Sequence, residues 1–234
     1  MAQYDFIPAC IIHRRDYRDT SLLLELFTPK EGRLPAIAKG AKSARSQKSA
    51  VLQPFTPLLV SLGGRGEIKQ LFNSELDGRP FALNGERLYC GFYVNELLMR
   101  LLERRDPFPA LYVHYMHTLE RLASPESADQ CLREFEVTLL QELGYGLLLD
   151  YTGDSGDPVV PEETYHYVVE QGPIKASGSQ IGQLLHGRTL LCLHNRQNLD
   201  EMGIAEAKQL MRRIMAFYLG DKPLKSRELF KGIH

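Results

Sequence analysis

The sequence contains no tryptophan and only four cysteines among its 234 residues. These cysteines, at positions 10, 90, 131 and 192, are far apart, and no two of them form a CxxC pair. The spacing therefore disfavours both a disulfide framework and a cysteine zinc cluster, and we expect no bound metal. Scattered thiols of this kind are typical of proteins of the reducing cytoplasm.

Long apolar runs and catalytic motifs are also missing. The chain has no stretch of about 18 apolar residues, so we expect no membrane span. The first residues lack the basic and then apolar pattern of a signal peptide. The motifs GxSxG and HExxH, the Walker loop and the dinucleotide fingerprint do not occur. We therefore expect a protein that is not an enzyme and that needs no cofactor.

Charge is unevenly distributed, although the formal net charge is only -1. Residues 1–75 carry 11 Lys and Arg against 7 Asp and Glu, whereas residues 76–150 carry 7 against 12. A basic first third beside an acidic middle indicates that the two regions bind different partners.

Residues 39–48 (KGAKSARSQK) contain four positive charges and no acidic or large apolar side chain. Long cationic side chains separated by small residues can approach a phosphate backbone closely. The same region supplies further cations, so we interpret it as a nucleic-acid surface formed by Arg14, Arg15, Arg18, Lys39, Lys42, Arg45, Lys48, Arg65 and Lys69. An ordinary solvated loop is the alternative. The aromatic side chains available for base stacking are Tyr17, Phe55 and Phe72, and each of them also fits a core position.

The first 80 residues read as five short strands, at 6–13, 21–27, 33–38, 55–62 and 67–72, with a glycine-rich hairpin turn at 63–66. Five strands with a basic loop favour an OB-type barrel, with an SH3-like barrel or a sandwich fragment as alternatives. The fold class that we predict is α+β. The predicted domains are an OB nucleic-acid-binding domain at 1–80, a helical bundle at 81–146 and a mixed C-terminal region at 147–234 that packs on the helical domain.

The helical region has apolar residues at spacings of three and four, with predicted helices at 111–122 and 128–143. The Ser-Pro-Glu-Ser segment at 124–127 indicates a helix start with Ser124 as the cap and Pro125 at the first helical position, and Gly144 indicates a helix end. A short helix is predicted at 179–185, a longer helix at 205–219 and a strand at 164–170. Arg133 is a cation on an otherwise apolar helix. It suits either capture of a carboxylate from a hydrophobic peptide or an intrahelical pair with Glu136 or Glu134.

Six segments, in this order along the chain, resemble the RecO family of bacterial recombination mediators. They are residues 13–27 (HRRDYRDTSLLLELF), 32–41 (GRLPAIAKGA), 52–58 (LQPFTPL), 93–98 (YVNELL), 143–146 (LGYG) and 222–229 (KPLKSREL). Many members of that family carry a four-cysteine zinc motif, but residues 150–156 of this chain contain no cysteine. The chain therefore resembles the zinc-free, proteobacterial type.

The resemblance implies a DNA repair and recombination protein that binds single- and double-stranded DNA and anneals complementary strands. It implies partnership with RecR and with the C-terminal tail of single-strand-binding protein, so that RecA loads on coated DNA in the cytoplasm, at the nucleoid. It assigns tail binding to Arg133 and adds three C-terminal cations to the DNA-binding candidates: Lys222, Lys225 and Arg227. The alternative is an adapter whose barrel binds protein and not DNA.

Overall fold

A closed five-stranded barrel forms the N-terminal part of the protein. The computed structural model describes residues 4–42, 48–177 and 183–230. The strands are β1 (Tyr4–Tyr17), β2 (Ser21–Thr28), β3 (Gly32–Ala38), β4 (Pro57–Gly63) and β5 (Lys69–Leu76), with a short helix α1 (Lys48–Val51) before β4. They close in the order β1-β2-β3-β5-β4, and every pair is antiparallel except β3 and β5. The predicted α+β class with an N-terminal five-stranded barrel is confirmed.

Strand β2 is buried on both of its faces, which explains its run of leucines. Leu22, Leu24 and Leu26 point into the barrel core. Phe27 points outward and makes edge contacts with two tyrosine rings of the following helical region, at centroid distances of 5.4 and 5.8 Å. Helices therefore cover this side of the barrel.

Three helices follow the barrel: α2 (Glu86–Leu101), α3 (Pro109–Ala123) and α4 (Ala128–Glu142). The predicted helix end at Gly144 is confirmed, since this residue follows the C-cap with a φ of 81°. The cap of α4 is Ser127, whose hydroxyl accepts a hydrogen bond from the backbone N–H of Gln130. Ser124 instead ends α3, so Pro125 is not the first residue of a helix.

The remaining elements are strands β6 (Thr164–Val168), β7 (Gly172–Lys175) and β8 (Leu185–His186) and helices α5 (Gly187–Asn195), α6 (Glu201–Leu219) and α7 (Ser226–Phe230). The predicted strand and the predicted long helix correspond to β6 and α6. The predicted helix at 179–185 lies largely outside the described residues, and Leu185 itself belongs to a strand. Helix α5 was not predicted.

By its contacts the chain divides into two units, Met1–Pro125 with Leu224–His234, and Glu126–Pro223. Helices α2, α3 and α7 thus belong with the barrel. The predicted boundaries at residues 80 and 146 stay a prediction. No helix in the described part of the chain is long and apolar enough to cross a membrane.

Candidate nucleic-acid interface

The strand directions give the barrel two distinct ends. Strand β1 runs toward the β1–β2 turn, and β3 runs to the same end, where the basic loop begins. Strand β4 is antiparallel to β1 and so runs the other way, which places the β4–β5 hairpin at the opposite end together with the β2–β3 turn. We call the first of these the basic end and the second the hairpin end.

The basic end carries four described cations that the sequence predicted, Arg15, Arg18, Lys39 and Lys42, and all four are exposed. The two segments that hold them are joined, because the backbone N–H of Lys42 donates to the carbonyl of Thr20 at 2.9 Å. The Lys42 ammonium also pairs with Asp16 at 2.8 Å. The structure therefore brings the turn and the start of the basic loop together, as a continuous phosphate-binding surface requires.

Arg14 has a structural contact at this end. Its guanidinium donates to the carbonyl of Leu52 at 2.8 Å, which ties β1 to the segment before β4. Arg18 has a φ of 53°, and its guanidinium lies 5.3 Å from the centre of the Tyr17 ring. Arg45 and the side chain of Lys48 lie outside the described residues.

The structure does not bring Arg65 and Lys69 to the basic end. Arg65 is exposed in the hairpin at the opposite end. Lys69 is only 4% exposed, and its ammonium donates to the carbonyl of Gly64 at 3.1 Å. In this conformation Lys69 holds the hairpin and does not face solvent.

Two arginines that the sequence reading missed lie at the hairpin end. Arg105 is exposed and donates to the carbonyl of Gly66 at 3.4 Å. Arg104 pairs with the buried carboxylate of Glu25 at 2.5 Å, and Arg33 lies 3.9 Å from the same carboxylate. Burial lowers the pKa of Arg33, and Arg104 lowers it further while Glu25 opposes both. Neither arginine belongs to a motif, so only the fold shows their position.

The C-terminal segment brings a cation close to strand β1. Lys225 is exposed, and its charge acts on His13 of β1. Burial lowers the pKa of His13, Arg15 and Lys225 lower it further, and Glu25 acts in the opposite direction. In the same segment Leu224 is buried, whereas Leu229 is exposed. Lys222 is exposed and Arg227 is half-buried.

Among the candidate stacking residues, Phe55 is buried and packs against Phe92, with ring centroids 5.2 Å apart. Tyr17 is half-buried. Phe72 is 52% exposed and lies against Gly63, where an added Cβ would meet the ring. Of the three, Phe72 therefore has the geometry of a stacking surface, and it is not in the core.

Arg133 lies in α4 with only 5% of its surface exposed, and it donates to the carboxylate of Glu136 at 2.8 Å. The intrahelical pair, which the sequence left open as an alternative, is thus present. The Arg133 Nε is buried and has no hydrogen-bond partner among the described residues. An incoming carboxylate would have to open this pair to reach the guanidinium.

Within the described ranges, no three His, Cys, Asp or Glu residues are grouped closely enough to hold a metal ion. All four cysteines are free thiols. Burial raises the pKa of Cys10 to about 11, so this thiol is protonated at neutral pH and is not a nucleophile. The geometry offers charged surfaces for binding.

Comparison with known proteins agrees with the family resemblance of the six segments. Residues 1–77 match the family model for the N-terminal region of recombination protein O. Residues 82–228 match the family model for the C-terminal region of the same protein. The DNA repair protein RecO of Methylococcus capsulatus is 49% identical over 224 residues, covering 96% of this chain and 92% of its own.

Two further relatives carry the same name. The protein from Nitrosococcus oceani is 45% identical over 227 residues, which are 97% of this chain and 92% of that protein. The protein from Yersinia pestis is 46% identical over 224 residues, with 95% and 92% covered. These matches extend over both units of the structure. The chain therefore belongs to the family of the DNA repair protein RecO.

Proposed function

We propose that this protein is a non-catalytic mediator of recombinational DNA repair that binds single- and double-stranded DNA through the basic end of its barrel. The observation that carries the proposal is the gathering of Arg15, Arg18, Lys39 and Lys42 on two joined segments. Cations on such a surface displace the counterions of a phosphate backbone, which favours binding without sequence preference.

Annealing follows from the same electrostatics. Two complementary strands repel each other through their phosphates, and a surface that neutralises part of this charge lowers the cost of bringing them together. The bases must stay accessible for pairing, and backbone contacts leave them so. We propose that the protein uses this surface to anneal strands in the cytoplasm, at the nucleoid, without metal or cofactor.

Partners belong to the same proposal. We propose, as the resemblance implies, that the protein helps to load RecA on coated DNA through contacts with single-strand-binding protein and with RecR. We propose Arg133 as the anion contact for the acidic C-terminal tail, because a buried guanidinium with an unpartnered Nε can hold a carboxylate that replaces Glu136.

The experiment compares the two ends of the barrel with equal changes of charge. One variant combines R15A, R18A and K39A at the basic end, and the other combines K30A, R65A and R105A at the hairpin end. All six side chains are exposed, so both variants should fold. We expect the first to weaken binding of a single-stranded oligonucleotide, measured by fluorescence anisotropy, much more than the second.

The two outcomes separate the hypotheses. Equal loss in both variants would mean that net charge, and not the basic end, determines affinity. Normal binding and annealing by the basic-end variant, with altered binding of a protein partner, would contradict the proposal and favour the adapter whose barrel binds protein.

A further inference from the structure

The carboxylate of Glu96 fastens the C-terminal segment to α2. One oxygen accepts a hydrogen bond from the backbone N–H of Lys225 at 2.9 Å. The other accepts from the backbone N–H of Ser226 at 2.8 Å and from its hydroxyl at 2.6 Å. The buried side chain of Leu224 adds an apolar contact directly before these residues. Two segments separated by about 130 residues are thus joined at one side chain.

Glu96 is charged when it makes these contacts. Burial alone would raise the pKa of its carboxyl group, but the hydrogen bonds from Ser226 and Lys225 and the nearby Arg100 lower it below its ordinary value of 4.5. A carboxylate can accept all three hydrogen bonds, whereas a neutral amide offers one oxygen fewer. The C-terminal segment is therefore held most firmly by the ionised form.

The contact determines where Lys225 lies. The backbone of Lys225 is bound to Glu96, which leaves its ammonium exposed and close enough to lower the pKa of His13. Arg15 acts on His13 in the same way. Since His13 pairs with Glu25 across β1 and β2, its position in the barrel wall is known. Lys225 and Arg15 therefore both lie near His13, and Glu96 holds the backbone of Lys225 at this place.

We propose that Glu96 is a positioning residue for nucleic-acid binding, which holds Lys225 beside Arg15 and so joins the C-terminal cations to the basic end of the barrel. The inference rests on the proposed function, because it assigns Lys225 to the same DNA surface. It predicts that an acidic residue increases affinity for a polyanion, which is the opposite of what its own charge would do.

The test uses E96Q, with E86Q as the matched control. Glu86 is an exposed residue at the start of the same helix, so both substitutions remove one negative charge from α2. Removal of a negative charge alone should leave binding of single-stranded DNA unchanged or strengthen it slightly. If Glu96 holds Lys225 in place, E96Q should weaken binding about fivefold at 0.1 M salt, the value of one phosphate contact on a single strand.

K225A and the double variant E96Q/K225A complete a double-mutant cycle with E96Q. K225A retains the backbone donor to Glu96 and should weaken binding by a similar factor. In the double variant E96Q/K225A the loss should not exceed that of K225A alone, because both substitutions remove the same contact. The His13 pKa, followed by NMR, should rise in both single variants, since a positive charge leaves its neighbourhood.

The inference about Glu96 and the proposed function can fail separately. The inference would be overturned if E96Q bound DNA as tightly as E86Q. It would also be overturned if the affinity losses of E96Q and K225A added in the double variant. The proposed function would stand in both cases. An unchanged His13 pKa in E96Q would show that Lys225 has not moved and would also overturn it. If the unmodified protein binds no single-stranded DNA, the proposed function itself fails.

Discussion

The ion pair of Arg133 and Glu136 has both of its side chains buried in α4. Breaking a buried pair by removal of one partner costs about 3–5 kcal/mol, whereas replacement of both partners by apolar residues is often neutral. We therefore expect R133A to lower the free energy of unfolding by about 3–5 kcal/mol, and R133M/E136M to lower it far less. Denaturant unfolding measures both.

The double variant also tests tail binding without the folding defect. A charge-assisted hydrogen bond to a carboxylate contributes about 1.5–3 kcal/mol, so R133M/E136M should bind the tail peptide of single-strand-binding protein roughly ten- to a hundredfold more weakly. DNA binding should not change, because the basic end of the barrel lies in the other unit. Unchanged peptide affinity in a folded double variant would remove Arg133 from the tail site.

At the level of elements, the β2–β3 turn depends on Gly32. Its φ is +63°, and a Cβ added there would lie 2.1 Å from the carbonyl oxygen of Asp106. The left-handed conformation costs a non-glycine residue about 1–2 kcal/mol, and overpacking against backbone adds about 1–3 kcal/mol. We expect G32A to lower the free energy of unfolding by about 2–5 kcal/mol, as measured in urea.

Gly40 supplies the matched control for this prediction. Its φ is +68°, yet an added Cβ would meet nothing within 4 Å. G40A should therefore cost only the conformational part, about 1–2 kcal/mol. Equal losses in the two variants would mean that the approach of the loop at Asp106 does not stabilise the barrel.

Most elements could be predicted from the sequence because their apolar periods are regular. Strands β2 and β3 and helices α3, α4 and α6 follow the patterns of their residues to within a few positions. Helix α5 was missed because it directly follows a two-residue strand and its N-cap residue His186 makes no side-chain capping bond. The cap of α4 was misplaced because Ser124 and Ser127 are three residues apart and both have hydroxyl groups.

The candidate site was less predictable, because charge in a sequence carries no direction. Arg65 and Lys39 lie in the same basic region of the sequence but at opposite ends of the barrel. Counting strand directions from β1 onward would have separated them. Nothing in the sequence indicates that Lys69 is buried, because this depends on its approach to the carbonyl of Gly64. The same holds for Glu96, whose partners are about 130 positions away.

For the whole molecule, several of the segments that carry the family resemblance are joined by hydrogen bonds, although they are far apart in the sequence. Arg14 of the first segment binds the carbonyl of Leu52 in the third. Glu96 of the fourth binds Ser226 of the last. Parts of the resemblance that are distant in the sequence thus stabilise one another in the fold.

The salt dependence of single-stranded DNA binding tests the central claim most directly. Each phosphate neutralised adds about 0.7 to the slope of the logarithm of affinity against the logarithm of salt concentration. Arg15, Arg18 and Lys39 each contribute one contact in our account, so their replacement by alanine should reduce the slope by about 2 while the melting temperature stays nearly the same. An unaltered slope in this folded triple variant would contradict the assignment of DNA binding to the basic end.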